Sequence, residues 1–214
     1  MVFKKLEVKA SPFHITNCYV VVDEHSKEAM VVDPAAEVDK IVNMIKTLDG
    51  KLKYIVLTHC HADHVGAVQE IKNALGGKII SHRIESENMK NPDISLFANV
   101  GLDNMNIEVD SRVDENDKIH LGDMEFKIIH TPGHTSGSMC IYCEKYKLLL
   151  SGDTLFSGTW GRTDLPTSNF EDIILSITNK LMILPEDTIV YPGHGNSTII
   201  KDETRIYLNL KPKL

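Results

Sequence analysis

A chain of 214 residues, 42% hydrophobic, is long enough to bury a substantial core as one domain. Its 23 basic residues face 30 acidic ones for a net charge of −7, which speaks against nucleic acid or any partner held through many phosphates. The N-terminal Met-Val-Phe-Lys-Lys interrupts its apolar residues with charges and no run approaches a membrane span, so neither a signal segment nor a membrane partner is expected and a cytoplasmic location follows.

In chain order, the first dense signal is Thr58-His59-Cys60-His61-Ala62-Asp63-His64, directly behind an apolar run that reads as a strand. Crowding three imidazoles and a carboxylate this closely inside a fold requires a cation to compensate the acid and take up the ring lone pairs. His59 and His61, separated by one residue on an extended loop, point the same way and leave Cys60 pointing elsewhere. Asp63 and His64 open the next element, where Val65, Val68, Ile71 and Leu75 have a helical period and Gly76-Gly77 supplies a stop. The turn between the halves aims them differently, which suits two neighbouring ions better than one. A surface loop that merely happens to be rich in histidine has no reason to follow a strand.

The polar stretch 86–117 is expected to be a loop or a short helix over the site, with its charges in solvent. Three later segments repeat the pattern of an apolar run ending in a polar residue beside glycine: Phe126–Ile129 into Thr131-Pro132-Gly133-His134, Leu148–Leu150 into Ser151-Gly152-Asp153, and Ile189–Tyr191 into Pro192-Gly193-His194. Convergence of these strand ends gives His59, His61 and His134 for one ion, Asp63, His64 and His194 for the other, and Asp153 as a bridge. Residues 170–184, with Phe170, Ile173, Ile174, Ile177 and Leu181 at helical intervals, read as an outer helix, and Thr204 to Leu214 as a terminal one.

His130 is expected to pack rather than ligate, and His14, His25, His82 and His120 are isolated. Cys140 and Cys143 stand three apart on a strand-like run and so face opposite sides; with Cys18 and Cys60 they read as reduced core thiols.

Asn17-Cys18-Tyr19, Val31-Val32-Asp33-Pro34, Thr-Pro-Gly-His-Thr at 131–135, Gly-Asp-Thr-Leu-Phe at 152–156 and Tyr-Pro-Gly-His-Gly at 191–195 together resemble the metallo-β-lactamase superfamily, and within it the glyoxalase II-like thioester hydrolases in a short form without the C-terminal helical domain. The resemblance implies an α/β fold, a four-layer αββα sandwich in a single domain over 1–214, with the metals at the edge where the two sheets meet. It also implies two divalent ions, zinc first, with iron or manganese compatible. The expected substrate is a small-molecule S-2-hydroxyacyl thioester such as S-lactoylglutathione, attacked by hydroxide generated at the metals, with Asp63 and Asp153 as the catalytic carboxylates.

Arg162 falls where the glyoxalase loop presents a cation to the substrate's carboxylate; the alternative is that Arg162 and Asp164 pair with each other to brace the loop. The same Gly-Arg-Thr-Asp run resembles persulfide dioxygenases of the superfamily, which hold one Fe(II), and this is the alternative function. A β-lactamase ranks lower, because those relatives generally lack the bridging aspartate and this loop, and a metal-binding protein without catalysis is a third reading that gives no reason for an open, water-bearing site.

Overall fold

The computed structural model describes residues 1–103 and 107–207, and the expected helical end beyond Tyr207 lies outside the described residues. The chain opens with β1 (Val2–Ser11), β2 (His14–Val22) and β3 (Glu28–Val32), an antiparallel meander. It continues through α1 (Val38–Thr47) and β4 (Lys51–Leu57). The expected helix after the histidine motif is broken in two, α2 (Ala62–Val65) and α3 (Val68–Leu75). The break follows Gly66, where the Ala67 N–H leaves the helical ladder to donate to Pro34 O at 3.0 Å, and a Cβ on Gly66 would lie 2.6 Å from the Ala35 carbonyl oxygen.

Next come β5 (Lys78–His82), α4 (Arg83–Asn88), α5 (Pro92–Ser95), a single 3₁₀ turn at Phe97–Val100, and β6 (Ser111–Val113). Short helical pieces therefore occupy part of the 86–117 stretch, one of the two forms expected there. β7 (Lys118–Leu121), β8 (Met124–His130), β9 (Met139–Cys143) and β10 (Leu148–Gly152) follow, then a small hairpin, β11 (Leu155–Phe156) and β12 (Thr159–Trp160). The chain ends in α6 (Phe170–Ser176) with a wider π turn at Ile177–Leu181, β13 (Ile189–Pro192), β14 (Thr198–Ile199) and α7 (Ile200–Tyr207).

The strands form two six-stranded sheets, ordered β1-β2-β3-β4-β5-β6 and β14-β13-β10-β9-β8-β7. Alternation along each strand explains why they stack. On β3, Met30 and Val32 face the core between the sheets, where they meet Phe126, Ile128, Ile141 and Leu150 of the second sheet. Ala29 and Val31 face the other way, against Ile41 and Ile45 of α1 and Ile71 of α3. The outer face of the second sheet, with Ile129, Leu149 and Val190, is covered by Ile173, Ile174, Ile177 and Leu181 and by Ile200 and Tyr207 of α7. The layers are thus helix, sheet, sheet, helix.

Cys140 joins the outer cluster and Cys143 the inter-sheet one, on opposite faces of β9, and all four cysteines are free and buried. Phe170 departs from the expected apolar stripe: it is the first helical residue, 52% exposed, and rests against the Trp160 ring at 5.9 Å. Among the described residues no helix is long and apolar enough to cross a membrane.

Candidate metal centre

β4 of the first sheet and β8, β10 and β13 of the second all point their C-terminal ends at one edge of the sandwich. Backbone hydrogen bonds lock those ends together: Met139 N–H donates to Thr58 O at 3.0 Å and Gly193 N–H to Gly152 O at 2.8 Å. Asn17 and Tyr19 of β2 brace the end of β13, with Asn17 Nδ2 donating to Pro192 O and Gly195 O, both at 2.9 Å, and the Tyr19 hydroxyl to Pro192 O at 2.7 Å.

His59, His61 and His134 converge as one triad and Asp63, His64 and His194 as another, with ligand atoms of each within 4.8 Å of one another. Asp153 lies between them, Oδ2 at 3.6 Å from His134 Nε2 and 3.3 Å from His194 Nε2, and Oδ1 at 3.4 Å from His64 Nε2. Every residue named from sequence for this cluster is therefore brought to one place. Gly152 makes the delivery of Asp153 feasible, because its φ of 48° turns the chain at the strand end and a Cβ there would sit 2.5 Å from Thr58 Oγ1.

Outer partners set the tautomers. His64 Nδ1 hydrogen-bonds Asp33 Oδ2 at 2.9 Å, His134 Nδ1 donates to Arg162 O at 2.9 Å, and His194 Nδ1 donates to Ile15 O at 2.7 Å. The Thr58 hydroxyl donates to Asp33 Oδ2 at 2.6 Å and so accepts from His59 Nδ1 at 3.1 Å. The Nε2 atoms of these four histidines are thereby turned inward. His64 Nε2 and His194 Nε2 stand 3.2 Å apart, and His134 Nε2 and His61 Nδ1 2.9 Å apart. Buried His59 Nε2, His61 Nε2 and Asp153 Oδ1 have no hydrogen-bond partner. Converging ring nitrogens and an orphaned buried carboxylate oxygen are costly unless a cation satisfies them, so the residues fit metal binding.

The charges divide accordingly. Burial pushes His59 well below its ordinary range and His61 down to about 3. Burial acts the same way on His64 and His194, but Asp153 and Asp63 outweigh it and hold them at about 10 and about 11. Burial opposes ionisation of Asp63 as well, yet His64 and His194 keep its carboxyl down at about 2.

Sequence reasoning missed the residues that position the ligands. Asp33 accepts from Thr58 N and its hydroxyl as well as contacting His64; in sequence it belongs to the Val31-Val32-Asp33-Pro34 motif, which assigned it no role. Glu85, fully buried in α4, accepts from Cys60 N at 2.7 Å and Gly137 N at 2.8 Å, tying two ligand-bearing loops together, and nothing in its local sequence marked it. His14, read as isolated, lines the cleft above the metal cluster. His130 is not brought to the cluster: it stacks on His82 with ring centres 4.2 Å apart. Arg162 lines the cleft, but its guanidinium makes a two-pronged pair with Asp164, at 2.7 and 2.8 Å. The bracing alternative is the arrangement seen.

Residues 11–194 match the sequence profile of the metallo-beta-lactamase superfamily. The chain belongs to that superfamily. Hydroxyacylglutathione hydrolase GloC of Haemophilus influenzae is 35% identical over 199 residues, covering 91% of this chain and 93% of that protein. Among solved structures, the BLEG-1 B3 metallo-beta-lactamase superimposes with a TM-score of 0.88 at 31% identity, covering 99% of this chain and all of that one. ETHE1 from Myxococcus xanthus gives 0.80 at 27% identity, covering 97% and 83%. The αββα fold expected from sequence is that of the superfamily, and the chain has the make-up of its metal-dependent hydrolases.

Proposed function

We propose that this protein is a metal-dependent thioester hydrolase that acts on S-2-hydroxyacyl thioesters such as S-lactoylglutathione and uses a pair of divalent ions, with zinc the first choice. The observation that carries the reading is Asp153, whose carboxylate stands within 3.6 Å of His134 on one side and within 3.4 Å of His64 and 3.3 Å of His194 on the other. An acid so placed serves two adjoining sites at once. The relationship to GloC supports the thioester chemistry.

His59, His61 and His134 on one side and Asp63, His64 and His194 on the other would hold the ions, which would supply Lewis acidity toward a carbonyl oxygen and a water of lowered pKa. The chain's own residues hold and orient. Asp33, Arg162 O and Ile15 O fix the ring planes of His64, His134 and His194, and Asp63 and Asp153 supply the negative charge that cations require. His14, Asn99, Trp160 and Leu165 line the cleft of about 390 Å³ through which an acyl group would reach the cluster. No protein nucleophile is called for: Cys18 and Cys60 are buried, with their thiols pushed well up by that burial. A thiolate leaves with little proton assistance, so a general acid is dispensable.

The test is hydrolysis of S-lactoylglutathione by protein purified without chelator, with metal content measured on the same sample. Asp63→Ala and Asp153→Ala are expected to abolish turnover while the fold persists; retained activity in either metal-loaded variant would refute the assignment. Likeness to ETHE1 supports a second reading, a persulfide dioxygenase with one Fe(II). One iron per chain, oxygen uptake with glutathione persulfide and no thioester cleavage would favour it. Nitrocefin turnover tests the lactam alternative.

A further inference from the structure

We propose that Glu203 of α7 is a positioning residue for the substrate: it holds the β11–β12 hairpin where Phe156 and Trp160 form one wall of the cleft, and so sets substrate affinity without acting on the metal ligands. The proposal rests on the reading of that cleft as the path of the thioester. The hairpin belongs to neither six-stranded sheet; its strands pair only with each other, Leu155 opposite Trp160 and Phe156 opposite Thr159. A two-stranded ribbon this short has little stability of its own, so contacts from outside decide where it stands.

Its root is held from the metal side. The Ser151 hydroxyl donates to Leu155 O at 2.8 Å, Arg162 O accepts from His134 Nδ1 at 2.9 Å, and the chain between runs so close to Asp153 O that Gly161 has no room for a Cβ. Its tip is held from the opposite side. Gly158, at the turn with a φ of 75°, donates its N–H to both carboxylate oxygens of Glu203 at 3.1 Å, and Thr198 Oγ1 donates to Glu203 Oε1 at 2.7 Å. One helical turn further along α7, the Tyr207 ring meets the Trp160 ring edge-on with centres 5.9 Å apart.

Glu203 is 2% exposed, and its hydrogen-bond partners among the described residues are neutral, a backbone N–H and a hydroxyl. A buried carboxylate without a cation is costly, and what this one secures is the outer end of the cleft wall. On that wall the Phe156 ring lies 6.1 Å from the ring of His194. Release of the tip lets Phe156 and Trp160 shift, while Ser151 and Arg162 keep the root and the ligands in place. Contacts made equally by the bound substrate and the transition state are then lost, which raises KM and leaves kcat.

The experiment compares wild type, Glu203→Ala, Glu203→Gln and Gly158→Ala, all metal-loaded, by metal content, by acrylamide quenching of Trp160, the sole tryptophan, and by steady-state hydrolysis of S-lactoylglutathione. Glu203→Ala is expected to keep its metal, to make Trp160 more readily quenched, and to raise KM about tenfold with kcat within about twofold. Glu203→Gln retains one acceptor oxygen and is expected to bring KM back to within about threefold of wild type. Gly158→Ala strains the same turn from an exposed position with nothing within 4 Å, and is expected to raise KM about threefold; it decides the matter if Glu203→Ala does not fold. KM unmoved in Glu203→Ala and Gly158→Ala, or kcat falling in step with lost metal, overturns the proposal. Failure of wild type to hydrolyse S-lactoylglutathione overturns the thioesterase reading instead. Trp160 quenching needs no substrate and then judges the anchoring alone: higher quenching in the two alanine variants sustains it, and identical quenching overturns it.

Discussion

Gly193 immediately precedes the ligand His194, and its φ lies outside the left-handed region, so the backbone itself would accept alanine. Space is what forbids it. A Cβ at this position would stand 2.6 Å from His64 Cε1, and closer still to Asp153 Oδ1, against the 3.4 Å at which ordinary contact begins. The His64 ring must therefore retreat by roughly 0.8 Å and the Asp153 carboxylate by more, whereas ligand distances in a metal site tolerate only about 0.2 Å. Overpacking of this kind costs about 1–3 kcal/mol, or roughly 2–12 °C in Tm for a domain of this size. Misplacement approaching 1 Å costs about 100-fold in turnover. Gly193→Ala is thus expected to stay folded, to lose metal by elemental analysis, and to drop kcat/KM by about two orders of magnitude. Gly76→Ala is the control. It also adds a Cβ, at a φ of 73° and with nothing within 4 Å, so it should cost stability alone. Full metal content in Gly193→Ala with kcat/KM within about threefold of wild type would refute the reasoning.

Asp33→Asn keeps the size of the side chain and suits the left-handed φ of 52°, but an amide has one acceptor oxygen and cannot serve Thr58 N–H on one side and the Thr58 hydroxyl with His64 on the other. Metal affinity is expected to fall about 10–100-fold by competition with a chromophoric chelator, and an unchanged affinity would remove Asp33 from the positioning role. Stripping the ions should lower Tm: ligand at about 100 times its Kd contributes about 2.7 kcal/mol, roughly 5–10 °C here, and identical melting of stripped and reloaded protein would contradict buried ligation. Burial, aided by the His130 ring, pushes His82 down to about 4 from an unfolded value near 6.5. The unfolded chain takes up that proton first as the pH falls, so this contribution is complete above about pH 6.5 and declines by up to about 1.4 kcal/mol per pH unit toward pH 4. His82→Phe, which keeps a ring against His130, should flatten the acid side of the Tm profile; a profile superimposable on wild type counts against it.

Sequence alone determined which residues form the metal cluster region and which fold carries them, because both are written in local patterns. His59, His61, Asp63 and His64 lie within one short motif, and His134, Asp153 and His194 each follow an apolar run that could be recognised as a strand. The opposite-facing Cys140 and Cys143 were legible for the same reason, since alternation along a strand is fixed by the backbone. Tertiary structure decided what depends on contacts between distant segments. Asp33 meets His64 31 residues away, and Glu85 meets Gly137 52 residues away. Phe170 lies against the Trp160 ring rather than in the core, and the helix after His64 breaks where the Ala67 N–H is drawn to Pro34 O, 33 residues away. Arg162 is the sharpest case. Its position promised a cation for the substrate, but only the fold shows the guanidinium held by Asp164 while its carbonyl oxygen orients His134. A motif specifies which groups are present; which of them remain free to meet a ligand is set by the neighbours that packing brings to their side.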